Sequence, residues 1–352
     1  MRIDFQDRQG ILCGGNWIID RVKITDRYPE REHLANILSE SLHNGGAAYN
    51  VLSDLASLKA PFPLAGIGLV GEDEDGERIL SHCRALAIDA SGIRKVPGVK
   101  TSYTDVVSEK STGKRTFFHS RGANARLDSE HFDLESSSAR IFHLGYLLLL
   151  DKLDQVQEDG RTKAYHLLAR ARALGFKTSV DMVSAEGDGF AATVRSTLPA
   201  VDVLFLNEYE AEKTTGIGLR GEGLDSAAMR EALEKLIEMG VREWVIIHSP
   251  AGACALSAQG EFLYQGSVKL PESRIAGTVG AGDAFAAGVL LGVHQDYAMS
   301  ECLRLGVCAA AACLTHPGSS EGIASMNACR EIGLQFGFRE SSYLPQSLRE
   351  KA

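Results

Sequence analysis

The stretch Gly277-Thr278-Val279-Gly280-Ala281-Gly282-Asp283, which runs on into Ala284-Phe285-Ala286-Ala287-Gly288, gathers glycines, one hydroxyl group and one carboxylate. Glycines let backbone N–H groups converge without a Cβ in the way, and a helix that starts there adds the positive end of its dipole. The small residues that follow are typical of a buried helix. The stretch therefore predicts an anion site at a helix N-terminus.

Asp283 falls in the first turn of this predicted helix. A carboxylate beside an anion site is the arrangement that transfer of a phosphoryl group to an alcohol requires, with the carboxylate as general base. Taken alone, the stretch is explained equally well by an ordinary glycine-rich turn followed by a helix-favouring carboxylate. Further motifs are needed to decide between these interpretations.

Composition narrows the function classes. The chain has 352 residues, with 44% hydrophobic and 24% charged residues, as expected for one large α/β domain or two modest domains. The formal net charge of −9 and the lack of a basic run argue against binding to nucleic acid or to an anionic membrane surface. No apolar run is long enough to span a bilayer, and residues 1–7 lack the apolar core of an export signal.

The cysteines agree with a reducing compartment. Their number is seven, which is odd, and none of them forms a C-x-x-C pair. Most lie in apolar surroundings, so reduced thiols in a core explain them better than disulfides or zinc ligands. We therefore expect a cytoplasmic protein.

Strand and helix patterns alternate along the chain. Predicted strands lie at 11–14, 62–71, 141–148, 176–183, 201–206 and 244–248, and predicted helices at 51–58, 74–86, 162–174, 225–239, 284–293 and 302–314. Strands separated by such helices pair in parallel, and ligands gather at their carboxyl ends. The pattern predicts a doubly wound, mostly parallel sheet flanked by helices.

Two segments interrupt this alternation and are expected to form a small β-lid over the site. The lid is expected to come from residues 18–40, of which 21–40 are polar and irregular, and from residues 96–120, where strand-like alternation flanks a turn. Arg115, Arg121 and Asn124 either face a substrate from this lid or are solvated lid residues. Residues 253–270 predict another hairpin. We expect one domain over residues 1–338, followed by a polar tail at 339–352.

The N-terminal part contains a second glycine site. The first strand is expected to continue through Gly14 and to place Asp20 near its end, either as an acceptor of hydrogen bonds from sugar hydroxyls or as the start of a turn. Gly45 and Gly46 open a helix with Asn50 in its first turns. Leu144 to Leu150 is expected to be core strand and turn rather than a ligand site.

Taken in order, these motifs resemble the ribokinase-like (PfkB) carbohydrate kinases from about Ile11 to Gly322. Residues 277–283 match the family's Asp-Thr-x-Gly-Ala-Gly-Asp signature except at the first position. Residues 45–50 match its N-terminal signature, residues 70–76 resemble another family stretch, and the Asn-x-x-Glu element lies at Asn207 and Glu210. Several matches in order are far more specific than any one of them.

The resemblance implies a role for each matching residue. Asp283 would be the base, the backbone of Gly280, Ala281 and Gly282 would stabilise the transferred phosphoryl group, and the cofactors would be ATP and Mg²⁺. Asp20, Gly45, Gly46 and Asn50 would hold the sugar. The residues on the nucleotide side would be Asn207, Glu210, His248, Gly252 and Thr278, with Glu210 acting on Mg²⁺ through water. Asn207 and Glu210 also fit a helix cap with a capping carboxylate three residues on.

The chain departs from the family pattern at two places. Gly277 replaces an aspartate that in many members helps bind an activating monovalent cation, so such a cation is doubtful here. His248-Ser249-Pro250-Ala251-Gly252 replaces the family's Thr-x-Gly nucleotide segment. Neither change affects Asp283 or the anion site.

These observations predict an ATP-dependent kinase that phosphorylates a hydroxyl group of a sugar or sugar derivative. A nucleoside kinase of the same fold is the nearest alternative, and a sugar or nucleotide sensor without catalysis is a rival from another class. The expected partners are a small-molecule sugar and ATP, with no nucleic acid and no membrane. By analogy with the family, two copies are expected to pair through the lid as a homodimer.

Overall fold

The computed structural model describes residues 8–187, 189–219 and 226–340. The strands within these ranges are β1 (Ile11–Gly15), β2 (Ile18–Thr25), β3 (Ile37–Gly45), β4 (Leu64–Gly71), β5 (Asp89–Val96), β6 (Ser102–Glu109), β7 (Arg115–Ser120), β8 (Ile141–Leu147), β9 (Lys177–Met182), β10 (Val203–Asn207), β11 (Trp244–Ser249), β12 (Gly252–Ser257) and β13 (Phe262–Gly266). The helices are α1 (Ala47–Ser57), α2 (Glu74–Ala85), α3 (Lys163–Ala173), α4 (Phe190–Thr197), α5 (Glu208–Thr215), α6 (Ser226–Glu238), α7 (Ala281–His294), α8 (Met299–Leu314) and α9 (Met326–Phe336). The predicted helix start at Asp225 and most of the predicted tail, 341–352, lie outside the described residues.

Nine strands form the main sheet, in the order β13-β12-β11-β10-β9-β8-β1-β4-β5. Every neighbouring pair from β5 to β11 is parallel, while β12 and β13 add an antiparallel edge. Each parallel step needs a crossover, which helices provide between most of these strands. The predicted doubly wound, mostly parallel sheet is confirmed.

Helices cover both faces of this sheet. Side chains alternate along β1, so that Ile11 and Cys13 lie in one apolar cluster and Leu12 in another. The first cluster is shared with α1, α2, α7, α8 and α9, and the second with α3, α4 and α6. The seven cysteines are unpaired and buried, as the sequence predicted. None of the described helices is long and apolar enough to cross a lipid bilayer.

A second, four-stranded sheet has the order β3-β2-β6-β7 and is called the small sheet below. Both segments predicted to lie outside the main sheet contribute strands to it. The prediction that residues 21–40 are irregular is wrong, because β2 and β3 pair antiparallel over most of their length. Residues 37–42 of β3 are exposed one after another, so its sequence carries no alternation of buried and exposed positions.

The first predicted strand also ends earlier than expected. We expected it to continue from Gly14 through Val22, but β1 ends at Gly15 and β2 begins at Ile18 in the other sheet. Gly15 has φ of 130°, and a Cβ there would lie 1.8 Å from the carbonyl oxygen of Gly145. The Asn16 N–H donates to that same oxygen at 2.9 Å. This close approach to β8 turns the chain out of the main sheet.

The hairpins predicted at 96–120 and 253–270 are confirmed as the antiparallel pairs β6–β7 and β12–β13. The elements β5, α4 and α9 also escaped the sequence analysis. β5 is an edge strand with one buried residue, and α4 and α9 are short helices that bury few side chains. An edge strand with a single buried position, such as β5, gives little signal in a sequence.

Candidate active site

The glycine loop ends at the N-terminus of α7. Gly280 precedes the helix with φ of 75°, in the left-handed region, and a Cβ there would lie 2.4 Å from the carbonyl oxygen of Ser319. Among the described residues, no side chain caps α7. The first N–H groups of the helix, at Ala281 and Gly282, are thus available to an anionic oxygen at the positive end of the helix dipole.

Asp283 lies in the first turn of α7 and is only 5% exposed. Its Oδ2 accepts a hydrogen bond from Nδ2 of Asn50 at 2.8 Å. The hydroxyl of Tyr146 donates to the same carboxylate, with 2.9 Å to Oδ1 and 2.7 Å to Oδ2. Asn50 is itself oriented by the Ser319 hydroxyl, which donates to its Oδ1 at 3.2 Å. Residues from α1, β8 and the loop after α8 therefore converge on this carboxylate.

Burial sets the protonation of this group. It raises the pKa of Asp283 to about 6, and the hydrogen bonds from Asn50 and Tyr146 oppose the shift. Asp283 is therefore ionised at neutral pH, yet a proton on it costs far less than on an exposed aspartate. A carboxylate with a pKa near the working pH suits a general base.

Asp20 lies in β2, beside Gly45 of β3 and not at an end of the main sheet. A Cβ on Gly45 would lie 2.3 Å from Oδ2 of Asp20, so only glycine leaves room for this carboxylate. Gly46 has φ of 91°, and a Cβ there would lie 2.4 Å from the carbonyl oxygen of Asn16. Burial raises the pKa of Asp20 to about 6, His43 lowers it and the charge of Asp283 raises it further. Asp20 and Asp283 thus lie close enough for their charges to interact.

Asn207 and Glu210 form the capping arrangement that the sequence left open. Oδ1 of Asn207 accepts from the Glu210 N–H at 2.9 Å, and Oε2 of Glu210 accepts from the Asn207 N–H at 2.8 Å. The Ser184 hydroxyl donates to Oε1 of Glu210 at 2.8 Å. Burial raises the pKa of Glu210 to about 7 in spite of these bonds. Both carboxylate oxygens of Glu210 therefore accept hydrogen bonds within the chain.

A cavity of about 540 Å³ opens between β11, α7 and α8. Four of the residues predicted on the nucleotide side line it, as do two residues of the predicted anion site. These are Asn207, His248, Gly252, Thr278, Ala281 and Gly282. Val268, Ile275, Val307 and Leu314 make much of the remaining wall apolar. An apolar wall that leads to a helix N-terminus fits the base and the phosphates of a nucleotide.

His248 lies between this cavity and α7. Its Cε1 would be 3.3 Å from a Cβ placed on Gly282, and its ring lies 5.3 Å from that of Phe285. Burial lowers the pKa of His248 to about 4, so the ring is neutral at physiological pH. It can thus serve as an uncharged wall of the cavity.

The first residue of the glycine stretch is crowded. A Cβ on Gly277 would lie 2.9 Å from the carbonyl oxygen of His316 and 3.0 Å from that of Pro317. An aspartate at this position would require the turn at 316–317 to shift. The backbone around position 277 therefore fits the glycine found here and not the aspartate of the family signature.

Three residues of the site escaped the sequence analysis. Tyr146 lies in the stretch interpreted as core, and the structure does bury Leu144 and Leu147 there, but the Tyr146 hydroxyl contacts Asp283. Asp181 is the second-to-last residue of β9, and burial together with the charges of Asp283 and Glu210 raises its pKa well above the usual range. Asn16 is fully buried and bonds the backbone around Tyr146. Only Asp181 had a signal, as an acidic residue near the end of a parallel strand.

The residues considered for the lid side have other partners. Arg121 pairs with Asp151 at 2.8 Å. Asn124 is fully buried, and its Nδ2 donates to the backbone carbonyl of Trp17 at 3.1 Å. Arg115 is half-buried at the start of β7. Asn124 thus supports the turn between β1 and β2 and does not face the site.

Known proteins share this architecture. A family model described as pfkB family carbohydrate kinase matches residues 8–326. A probable fructokinase-7 of Arabidopsis thaliana is 26% identical over 348 residues, which cover 94% of this chain and 95% of the relative.

Solved structures agree on the fold. The ribokinase of Giardia lamblia superposes with a TM-score of 0.76 at 20% identity, covering 91% of this chain and 98% of its own. The nucleoside kinase of Methanocaldococcus jannaschii superposes with a TM-score of 0.72 at 16% identity, covering 93% and 98%. Sugar kinases and nucleoside kinases therefore share the fold of this chain.

Proposed function

The chain belongs to the pfkB family of carbohydrate kinases, and from that premise we propose that it transfers the γ-phosphoryl group of ATP to a hydroxyl group of a sugar or sugar derivative. The observation that carries this proposal is the buried Asp283 carboxylate in the first turn of α7, beside uncapped backbone amides. This combination supplies a base and an anion site within one helical turn.

The proposed step needs little covalent chemistry from the protein. Asp283 takes the proton of the acceptor hydroxyl, and the acceptor oxygen bonds to the γ-phosphorus as the bond to the bridging β–γ oxygen breaks. ADP leaves. The N–H groups of Gly280, Ala281 and Gly282 stabilise charge on the transferred group, and Asp20 orients the acceptor through its hydroxyl groups.

Magnesium is proposed as the metal that accompanies ATP. Among the described residues, no group of three or more His, Cys, Asp or Glu side chains is arranged to hold a metal ion. Mg²⁺ usually keeps several waters and is held partly by substrate phosphates, which fits a site without a protein cage. Glu210 would hold those waters, and the bound ion would neutralise charge on the phosphates.

A nucleoside is the second candidate acceptor, and one observation favours it. Phe117 is 58% exposed, and the strand registers place it on the same face of the small sheet as Asp20, one row further out. An exposed aromatic ring on the face that carries Asp20, two strands away from it, offers a surface on which a base can stack. A simple sugar would leave this ring unused.

The opposite face of the small sheet supports a homodimer. Leu42 and Phe118 lie on that face by strand alternation and are 46% and 55% exposed. Exposed apolar side chains on a sheet with two open edges favour association with a second copy. Leu42→Asp should then convert a dimer into a monomer in light scattering, and a monomeric parent would refute the pairing.

We also propose a cytoplasmic location, because seven buried thiols suit a reducing compartment.

The acceptor can be identified by measuring ADP release from Mg·ATP across pentoses, hexoses, keto-sugar acids and nucleosides. We expect turnover with one class, together with a phosphorylated product that mass spectrometry detects. Turnover with nucleosides alone would select the second candidate. Silence across the panel, with ligands that still raise the melting temperature, would favour a sensor over a kinase.

A further inference from the structure

Tyr146 occupies the place on Asp283 that an acceptor needs. Its hydroxyl lies within hydrogen-bond distance of both carboxylate oxygens, and Asn50 holds Oδ2 as well. An acceptor hydroxyl must donate its proton to this same carboxylate before it can attack phosphorus. The phenol therefore makes the contact that the acceptor makes in the proposed reaction.

The surroundings keep this phenol protonated. Burial raises the pKa of Tyr146 well above its usual range, and the charges of Asp283, Asp181 and Asp20 raise it further. A phenolate would lie against the Asp283 carboxylate, which accepts the hydrogen bond that the phenol donates. Tyr146 is thus a hydrogen-bond donor to Asp283 and does not compete with it for the acceptor's proton.

The backbone of Tyr146 is fixed. Its N–H donates to Oδ1 of Asn16 at 2.6 Å, and the Asn16 side chain also donates to the carbonyl of Leu149 at 3.0 Å. A Cβ on Gly145 would lie 2.6 Å from Cβ of Ala47, which leaves the preceding residue no room. With the backbone held, any movement of the hydroxyl away from Asp283 has to come from the side-chain torsions of Tyr146.

We infer that Tyr146 is a positioning residue that holds Asp283 through its hydroxyl until an acceptor replaces it, and so keeps water from reacting in the acceptor's place. The inference rests on the proposed role of Asp283. The reaction it suppresses is hydrolysis, in which water gives a proton to Asp283 and its oxygen bonds to the γ-phosphorus. The β–γ bridge then breaks, and ADP and inorganic phosphate are released. A kinase that has bound ATP but no acceptor needs protection against this hydrolysis.

Tyr146→Phe tests this inference, because it keeps the ring and removes the hydroxyl. We expect the ratio of acceptor-independent ATP hydrolysis to transfer to rise about 10-fold or more, the factor for losing one hydrogen bond to a charged group. The acidic limb of kcat/KM for transfer, which reports the enzyme before the acceptor binds, should also move to higher pH, since the Tyr146 bond lowers the pKa of Asp283 in that state. Tyr165→Phe in α3 is the matched control and should leave both readouts unchanged.

Two results would overturn the inference. An unchanged hydrolysis-to-transfer ratio together with an unmoved acidic limb in Tyr146→Phe would give the hydroxyl a structural role only. If Tyr146→Phe does not fold, Asn16→Ala, which frees the backbone of Tyr146, should raise the same ratio, and a constant ratio would count against us. If the parent enzyme transfers phosphate and neither variant hydrolyses ATP faster than the parent, this inference is refuted while the proposed function stands. A parent without any transfer refutes the proposed function as well.

Discussion

Nδ2 of Asn50 lies 2.8 Å from Oδ2 of Asp283, while Oδ1 of Asn50 accepts from the Ser319 hydroxyl. This pair of bonds fixes which end of the amide faces the carboxylate. The resemblance implied that Asn50 holds the sugar. Its contact with Asp283 gives it a second role, which is to favour the ionised base.

Asn50→Asp reverses this effect. The substitution keeps the size of the side chain but replaces an N–H donor by a carboxylate, so the pKa of Asp283 should rise above about 6. The acidic limb of kcat/KM should move to higher pH, and the rate at pH 7 should fall. A pH-rate profile identical to that of the parent would show that Asn50 does not tune the base.

The parent enzyme should lose activity as the pH falls. Asp283 must be ionised to take a proton, and its pKa is about 6. We expect kcat/KM to fall roughly tenfold per pH unit below that value and to be nearly flat above it. Asp20 and Glu210, with pKa values of about 6 and 7, ionise in the same window. If Asn50→Asp moves the acidic limb of kcat/KM, that limb reports the ionisation of Asp283. If the limb stays in place, it reports Asp20 or Glu210 instead.

Gly45→Ala should weaken acceptor binding selectively. The added Cβ would lie 2.3 Å from Oδ2 of Asp20, so the carboxylate must move away from the acceptor. We expect the KM for the acceptor to rise by about 10- to 100-fold, as for loss of a hydrogen bond to a charged group. The KM for ATP should not change. The matched control is Gly189→Ala, where a Cβ meets nothing within 4 Å. An equal rise in both KM values would argue against a role for Asp20 in acceptor binding.

Potassium should not activate the enzyme. Gly277 offers no carboxylate for a monovalent cation, and its surroundings leave no room for one. Rates in potassium and tetramethylammonium chloride should agree at equal ionic strength. Gly277→Asp should destabilise the fold by about 1–3 kcal/mol through overpacking against the turn at 316–317. A strong preference of the parent for potassium, or an unchanged melting temperature in Gly277→Asp, would contradict this account.

The main sheet could be predicted because the sequence patterns that mark its strands and helices are local. Buried strands, amphipathic helices and the glycine loop before Asp283 each occupy a few consecutive residues. The same holds for Asn207 and Glu210, whose spacing of three residues encodes the helix cap that the structure contains. These elements also place the carboxyl ends of the strands, and hence the side of the sheet where the candidate site lies.

Contacts between distant segments gave no such signal. The path of the chain at Gly15 depends on Gly145, 130 residues later, so the switch of β2 into the small sheet was missed. The apolar neighbours Leu144 and Leu147 predict a core strand at Tyr146, and both are indeed buried. Its partner Asp283 is separated from it by 137 residues. Only a three-dimensional structure brings such pairs together.

The central claim is that the Asp283 carboxylate takes the acceptor's proton, and Asp283→Asn tests it most directly. Asparagine keeps the shape of the side chain and cannot act as the base. The measurement is kcat with the identified acceptor, alongside calorimetric Kd values for acceptor and nucleotide. Our account predicts that kcat falls on the order of 10²- to 10⁴-fold while both Kd values stay close to those of the parent. Turnover within tenfold of the parent, at equal binding, would contradict it.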